Sequence, residues 1–172
     1  MNISTATIND IIELEKLINK AYRGEASRKG WTSEYGILEG ERIGQEPLED
    51  YFGQDPINIL KYTDVSGTIL GTVYIEFKAP VLYLGMLAVM PDQQAQGIGQ
   101  SIMREAENLA KKNDCDRISI TVISSRLELI SWYKRRGYRM NGESINFDEL
   151  KGNFGIPLIQ DIQLIGMEKS LA

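Results

Sequence analysis

Residues 81–100 read VLYLGMLAVMPDQQAQGIGQ, and this stretch decides the fold. VLYLGMLAV is apolar along nearly its whole length, as a strand covered on both faces must be, so it belongs in the centre of a sheet. After a Pro-Asp pair, the loop QQAQGIGQ (93–100) runs into a helix whose Ile98, Ile102, Ala106, Leu109 and Ala110 recur on one side. Gly97 and Gly99 stand where that helix begins. Glycine loosens a helix by about 1 kcal/mol relative to alanine. The pair therefore marks either a backbone pressed against a strand or a cradle for phosphate. The first N–H groups of a helix have no internal partner and carry roughly half a positive charge. Residues without side chains let a pyrophosphate rest directly on them, and Gln94 and Gln96 can add neutral donors. The familiar nucleotide loops do not fit. No Lys-Ser/Thr pair follows the second glycine. Gly97-Ile98-Gly99-Gln100-Ser101-Ile102 lacks the third glycine of the dinucleotide fingerprint, which also follows its strand directly.

Composition narrows the function. With 172 residues, 42% hydrophobic and 25% charged, the chain suits one ordinary globular domain spanning 1–172. The net charge is −5, and the only basic run is Lys134, Arg135 and Arg136 with Arg139 nearby, too small for a nucleic-acid partner. The acidic balance either steers a cationic substrate or simply keeps the protein in solution. Histidine is absent and Cys115 is the single cysteine, which excludes a disulfide within the chain, a Cys-His pair, a Ser-His-Asp triad and a His-ligated metal. No apolar run is long enough to span a bilayer and no signal peptide opens the chain, so the expectation is a cytoplasmic protein with no membrane partner.

Along the rest of the chain, a short strand precedes a helix with Ile11, Leu14, Leu17, Ile18 and Tyr22 on one face, capped by Asn9 or Asp10. A short helix is expected near 33–39 and another at PLEDYF, with Pro47 in its first turn. Strands at 57–63 and 68–78 form a hairpin around Asp64–Gly67. In the second of them Ile69, Val73, Ile75 and Phe77 share one face, and Thr72, Tyr74 and Glu76 the other. RISITVI (117–123) is a strand, RLELISWYKRRG a helix ended by Gly137, YRMNGE the start of a strand, FDELKGNFGIP a loop, and IQLIGMEKSL a last strand.

Gln94-Ala95-Gln96-Gly97-Ile98-Gly99 resembles the Q/R-x-x-G-x-G/A motif of the GCN5-related N-acetyltransferases, the GNAT superfamily. LGMLAVMPDQQAQGIGQSIMREAE is similar to that family's central strand, loop and helix. About 35 residues later, LISWYKRRGYRMNGE resembles its second motif, a tyrosine-bearing helix followed by Gly-aromatic. The resemblance implies an α/β (mixed α+β) fold with a mostly antiparallel sheet of six or seven strands flanked by helices. It implies acetyl-CoA as cosubstrate, held in a gap between splayed parallel strands at 81–89 and 117–123. The backbone of Leu87, Ala88 and Val89 would meet the pantetheine arm, with the Leu87 N–H at the developing oxyanion. The backbone of Gln94, Ala95, Gln96, Gly97, Ile98, Gly99 and Gln100 would hold the pyrophosphate, and Arg135 or Arg136 could reach the 3′-phosphate. Tyr133 matches the family's proton donor to the departing sulfur, a phenol of pKa near 10 serving a thiolate of about 8.5.

Two positions depart from the family pattern. Arg126 stands where an asparagine often contacts the cofactor, and Tyr83 where several members carry a glutamate base. A free alkylamine is almost wholly protonated at pH 7, and restoring the neutral nucleophile costs about 4.6 kcal/mol. Without histidine, the proton must leave through a carboxylate, a tyrosine or water. Glu76 is the candidate carboxylate, with a cross-strand partner role as its ordinary alternative, and Tyr83 is next. Tyr22, Trp31 and Glu34 fall in the segment that shapes the acceptor pocket in the family. The expected reaction is direct acetyl transfer from acetyl-CoA to a primary amine, with a small cationic acceptor favoured by the net charge and no metal. The alternative is a regulatory module that binds acyl-CoA without turnover. Family habit suggests a homodimer.

Overall fold

The computed structural model describes residues 2–172. Its elements in chain order are β1 (Asn2–Thr5), α1 (Ile11–Tyr22), α2 (Gly24–Ser27), β2 (Leu38–Glu39), α3 (Gln45–Glu49), β3 (Ile57–Thr63), β4 (Ile69–Lys78), β5 (Val81–Val89), α4 (Ile98–Lys112), β6 (Arg117–Ile123), α5 (Leu127–Lys134), β7 (Arg139–Asn146), β8 (Ile156–Pro157) and β9 (Gln163–Ser170). Seven strands form one sheet in the order β1-β3-β4-β5-β6-β9-β7. Every pairing in it is antiparallel except β5 with β6. The mixed, mostly antiparallel sheet flanked by helices is the architecture expected from the sequence. The apolar run 81–89 is its central strand, as continuous hydrophobicity requires.

Neighbouring residues on a strand point to opposite faces, and the core divides accordingly. Leu60, Val73, Ile75 and Leu82 pack with Ile98, Ile102 and Ala106 of α4 and with Leu129, Ile130 and Tyr133 of α5. Ile59 and Ala88 pack on the other face with Leu14, Leu17, Ile18 and Ala21 of α1 and Leu48 of α3. The two helices that follow β5 and β6 thus share one side, and the N-terminal helices cover the other.

Four local expectations change. Asp10 stands at the N-cap position of α1 but makes no side-chain cap bond to it. The Asp10 carboxylate instead accepts from the Thr7 N–H at 2.7 Å and pairs with Lys61 at 2.7 Å. Ile69 leaves the face of Val73, Ile75 and Phe77 and joins the α1 side, because the β3–β4 register slips between Tyr62 and Thr63. No helix forms over 33–39. Gly36 and Gly40 adopt left-handed φ of 77° and 81°, and the chain runs through turns into β2, which pairs with β8 inside the expected C-terminal loop. A buried guanidinium organises that segment: Arg23 donates to Glu34 at 2.8 and 3.0 Å and to the carbonyls of Glu39, Gly40, Glu41 and Phe154.

Candidate active site

The site begins with a bulge in β5. Tyr74 pairs with Gly85 and Thr72 with Ala88, so Met86 and Leu87 together face the single residue Val73. Met86 adopts φ 47°, a conformation a non-glycine residue takes only where the surroundings enforce it. The extra residue restores Leu87 and Val89 to the face of Leu82 and Leu84 and bends the strand. Pairing with β6 covers only Val81–Tyr83 against Arg117–Ser119. Beyond Tyr83 the two parallel strands part, as expected for 81–89 and 117–123. Between them lies a cavity of about 360 Å³, walled by Leu84–Leu87 and Ile120–Ile123.

Tyr133 of α5 lines this cavity and is 5% exposed. It packs edge-on against both Trp132 and Tyr138, and among the described residues its hydroxyl has no hydrogen-bond partner. Burial pushes its pKa well above the ordinary phenol range, so the group stays protonated. Across the gap, the Tyr22 hydroxyl donates to the Leu87 carbonyl at 3.0 Å, and burial raises its pKa to about 12. Tyr22, Glu34, Tyr83 and Arg126 line the gap, and Trp31 does not. The Arg126 guanidinium is buried and spends Nη2 on the Trp31 carbonyl at 2.7 Å.

Glu76 lies outside the cavity lining. It sits directly opposite Tyr83 in the β4–β5 register, pairs with the exposed Lys78 at 3.0 Å, and accepts from the Tyr74 hydroxyl at 3.2 Å. Tyr74 does line the cavity, so it connects Glu76 to the gap. Burial, then the Glu76 charge and hydrogen bond, raises the Tyr74 pKa.

A second cavity, of about 400 Å³, lies at the start of α4 and is lined by Gly97–Gln100, Trp132 and Arg136. Gly97 is the N-cap at φ 80°, with no side chain to cap the helix and open space where a Cβ would stand. A Cβ on Gly99 would rest in ordinary contact with Trp31, Trp132 and Val89. The two glycines therefore differ: the first makes the turn and the second keeps the cradle open beside two indoles. The glutamines do not act as free donors. Gln94 gives Nε2 to the Val89 carbonyl at 3.0 Å and takes the Trp31 N–H on Oε1 at 2.9 Å, while Gln96 bonds Gln93 at 3.2 Å. The cation at the cradle is Arg136, stacked 3.5 Å over Trp132, with its buried Nε unpartnered. Arg135 faces a different surface hollow.

Trp31 occupies an unexpected place. Its N–H is held by Gln94, just beyond β5, and its carbonyl by Arg126, just beyond β6. Its indole stacks on Trp132 at 4.7 Å between ring centroids. The peptide of Trp31 thus bridges the open ends of the two strands, lines the cradle and stands between the cradle and the gap. Sequence reasoning missed this bridge, and it also missed Arg42, Tyr51 and Tyr74 as cavity residues. Tyr74 was within reach, because it shares the polar face of β4 with Glu76. Arg42 lies in irregular chain, where no periodicity signals a direction.

A splayed parallel pair beside a glycine-capped helix is the arrangement that the two sequence motifs imply. The model of the Acetyltransferase (GNAT) family matches residues 13–138. The chain belongs to the GNAT family. Among solved structures, the GNAT fold here is similar to the ribosomal-protein-S18-alanine N-acetyltransferase from Escherichia coli, with a TM-score of 0.73 at 15% identity over 99% of this chain and 94% of that one. It is similar to an N-acetyltransferase from Staphylococcus aureus Mu50, at 0.74 and 14% over 99% and 97%. It also resembles the ribosomal-protein-alanine N-acetyltransferase from Brucella melitensis, at 0.70 and 17% over 99% of each chain. Among the described residues no helix is long and apolar enough to cross a membrane, and no acidic, cysteine or histidine cluster is fit to hold a metal.

Proposed function

We propose that the protein transfers the acetyl group of acetyl-CoA to a primary amine by direct attack, with no covalent enzyme intermediate. The observation that carries this reading is the splay of β5 from β6 beyond Tyr83. It opens a cavity in which Leu87 and Tyr133 meet, beside a helix start stripped of side chains. Unpaired strand edges inside a protein require a partner, and a pantetheine arm supplies amides that serve as one.

The cradle fits a pyrophosphate. The backbone of Gln94, Ala95, Gln96, Gly97, Ile98, Gly99 and Gln100 turns around the N-terminus of α4, and Arg136 adds a guanidinium with an unsatisfied buried N–H. The backbone of Leu87, Ala88 and Val89 holds the arm, and the Leu87 N–H receives the negative charge that builds on the acetyl oxygen. Arg126 stands at the mouth of the gap as a cofactor contact. Acetyl-CoA supplies the activated acyl carbon. The acceptor nitrogen forms the new C–N bond as the C–S bond breaks, and Tyr133 gives its proton to the sulfur. The amine's proton leaves through Tyr74 to Glu76, or through Tyr83. Glu76 lies outside the cavity lining, which favours one second reading, a module that binds acyl-CoA without turnover.

The test is thermal unfolding with and without acetyl-CoA, followed by CoA release over an amine panel. Ligand at one hundred times its dissociation constant should stabilise the protein by about 2.7 kcal/mol. Gly99→Glu, which places a carboxylate in the cradle without straining the backbone, should abolish that gain while the variant unfolds normally without ligand. Unchanged stability of the wild type with acetyl-CoA would sink the proposal. Binding without CoA release from any amine would leave the regulatory reading.

A further inference from the structure

The charged side chains lining the gap are Arg23, Glu34, Arg42 and Arg126. Glu34 is bound by Arg23 at 2.8 Å, and both are buried. Two guanidiniums then remain without a carboxylate among the described residues. The cavity is cationic inside a protein whose net charge is −5.

Arg42 is placed to act on a ligand. Its guanidinium lies over the Tyr22 ring at 5.5 Å and over the Phe154 ring at 5.7 Å, and no carboxylate reaches it. The rings give the guanidinium cation–π contacts that use none of its N–H groups, which remain for a carboxylate. The same Tyr22 donates to the Leu87 carbonyl, so a single phenol ring separates Arg42 from the backbone assigned to the acetyl group. The wall also carries the hydroxyls of Tyr51, Tyr74 and Tyr83 among aliphatic side chains.

Resting on the acetyltransferase reading above, we propose that the acceptor is a small primary amine carrying a carboxylate, the free amino acid class, and that Arg42 binds the carboxylate. One unpaired guanidinium held by two rings suits a monoanion in a two-point grip. The cavity's charge disfavours a polyamine, contrary to what the net charge alone suggests. With Arg42 paired to the carboxylate, Arg126 remains as an unpaired cation and disfavours the ammonium form of the acceptor. That lowers the amine's pKa and eases release of its proton where no histidine is available.

The experiment measures CoA release from acetyl-CoA with the twenty amino acids, their amides, their decarboxylated amines, spermidine and phosphoethanolamine. At least one amino acid should exceed both its amide and its decarboxylated amine in kcat/KM by about a hundredfold. Arg42→Gln should bring that ratio to within about tenfold, and Arg42→Lys should recover part of it. Equal rates for acids and their amides overturn the proposal, as does a preference for spermidine or phosphoethanolamine, or a ratio unmoved in Arg42→Gln. A melting shift with acetyl-CoA but no acid turned over also overturns it and leaves the cosubstrate reading standing. No shift and no release overturns that reading first.

Discussion

The half of the molecule built from β5, α4, β6 and α5 and the segment from Arg23 to Arg42 both border the same cavity, but they are held by different forces. In the first, Leu82, Ile102, Ile118 and Ala106 are fully buried against one another. Their stabilisation scales with the apolar area removed from water and is shared among many contacts. The second has little regular structure, and one guanidinium gathers a carboxylate and four carbonyls. An apolar core tolerates the loss of one side chain in proportion to the hole left behind. A hub of polar bonds fails as a unit, because each carbonyl is orphaned at once.

That difference gives the largest expected effect. Arg23→Ala should cost about 3–5 kcal/mol, the range for removing one partner of a buried ion pair. Amide exchange should accelerate selectively over 34–41 and 154–157. Ile102→Ala should cost about 2–5 kcal/mol through its cavity, with exchange rising throughout the sheet. Urea titration together with exchange mass spectrometry reads both. Uniform exchange in Arg23→Ala would mean that the segment is no separate unit.

The contrast also explains what the sequence made legible. Helical and strand periodicities placed β3 to β6, α4 and α5, because these elements bury apolar faces that recur at fixed spacing, whereas the gap and Tyr133 were expected only from the resemblance of two motifs to a family. The helix wrongly expected at 33–39 lies where Gly36, Gly40 and the Arg23 bonds decide the chain's path, and such bonds leave no period. Gln94 and Gln96 looked like phosphate donors because their residue type suits the task; the structure gives their amides to Val89, Trp31 and Gln93. Arg42 was invisible for a third reason. Its partners, Tyr22 and Phe154, lie on distant parts of the chain.

Tyr133→Phe probes the regular half. General-acid assistance to a leaving group is worth about a hundredfold or more. The variant should lose that much in kcat, with a smaller change in the KM for acetyl-CoA. Steady-state rates with a fixed acceptor measure it, and a kcat within a factor of about three of wild type would remove Tyr133 from the acid role.

Trp31 belongs to the irregular segment yet lies against the regular half, so it reports on the join. Its bridge from Gln94 to Arg126 must open for an arm to pass from cradle to gap. Aromatic stacking of this kind is worth about 0.5–1.5 kcal/mol. Trp31→Ala should therefore bind acetyl-CoA more tightly, by up to about tenfold. The chain's two tryptophans are the stacked pair, so wild-type indole fluorescence should change as acetyl-CoA binds. Weaker binding by the variant would instead mean that the Trp31 indole holds the cosubstrate rather than obstructs it.

The smallest effect separates two neighbouring tyrosines. Tyr133 and Tyr138 pack edge-on at 5.3 Å between centroids, both buried, and burial raises the pKa of both. The Tyr133 hydroxyl opens on the gap, whereas that of Tyr138 is sealed in the core without a partner. A buried hydroxyl that makes no bond carries its desolvation cost and returns nothing. Tyr138→Phe removes one oxygen and leaves the ring packing in place, so stability should hold or rise by up to about 1 kcal/mol, with catalysis retained. A loss of stability would show that the hydroxyl finds a partner in solution, a buried water being the natural one. A loss of catalysis with the fold intact would place Tyr138 behind Tyr133 in the proton's path and extend the site into the core.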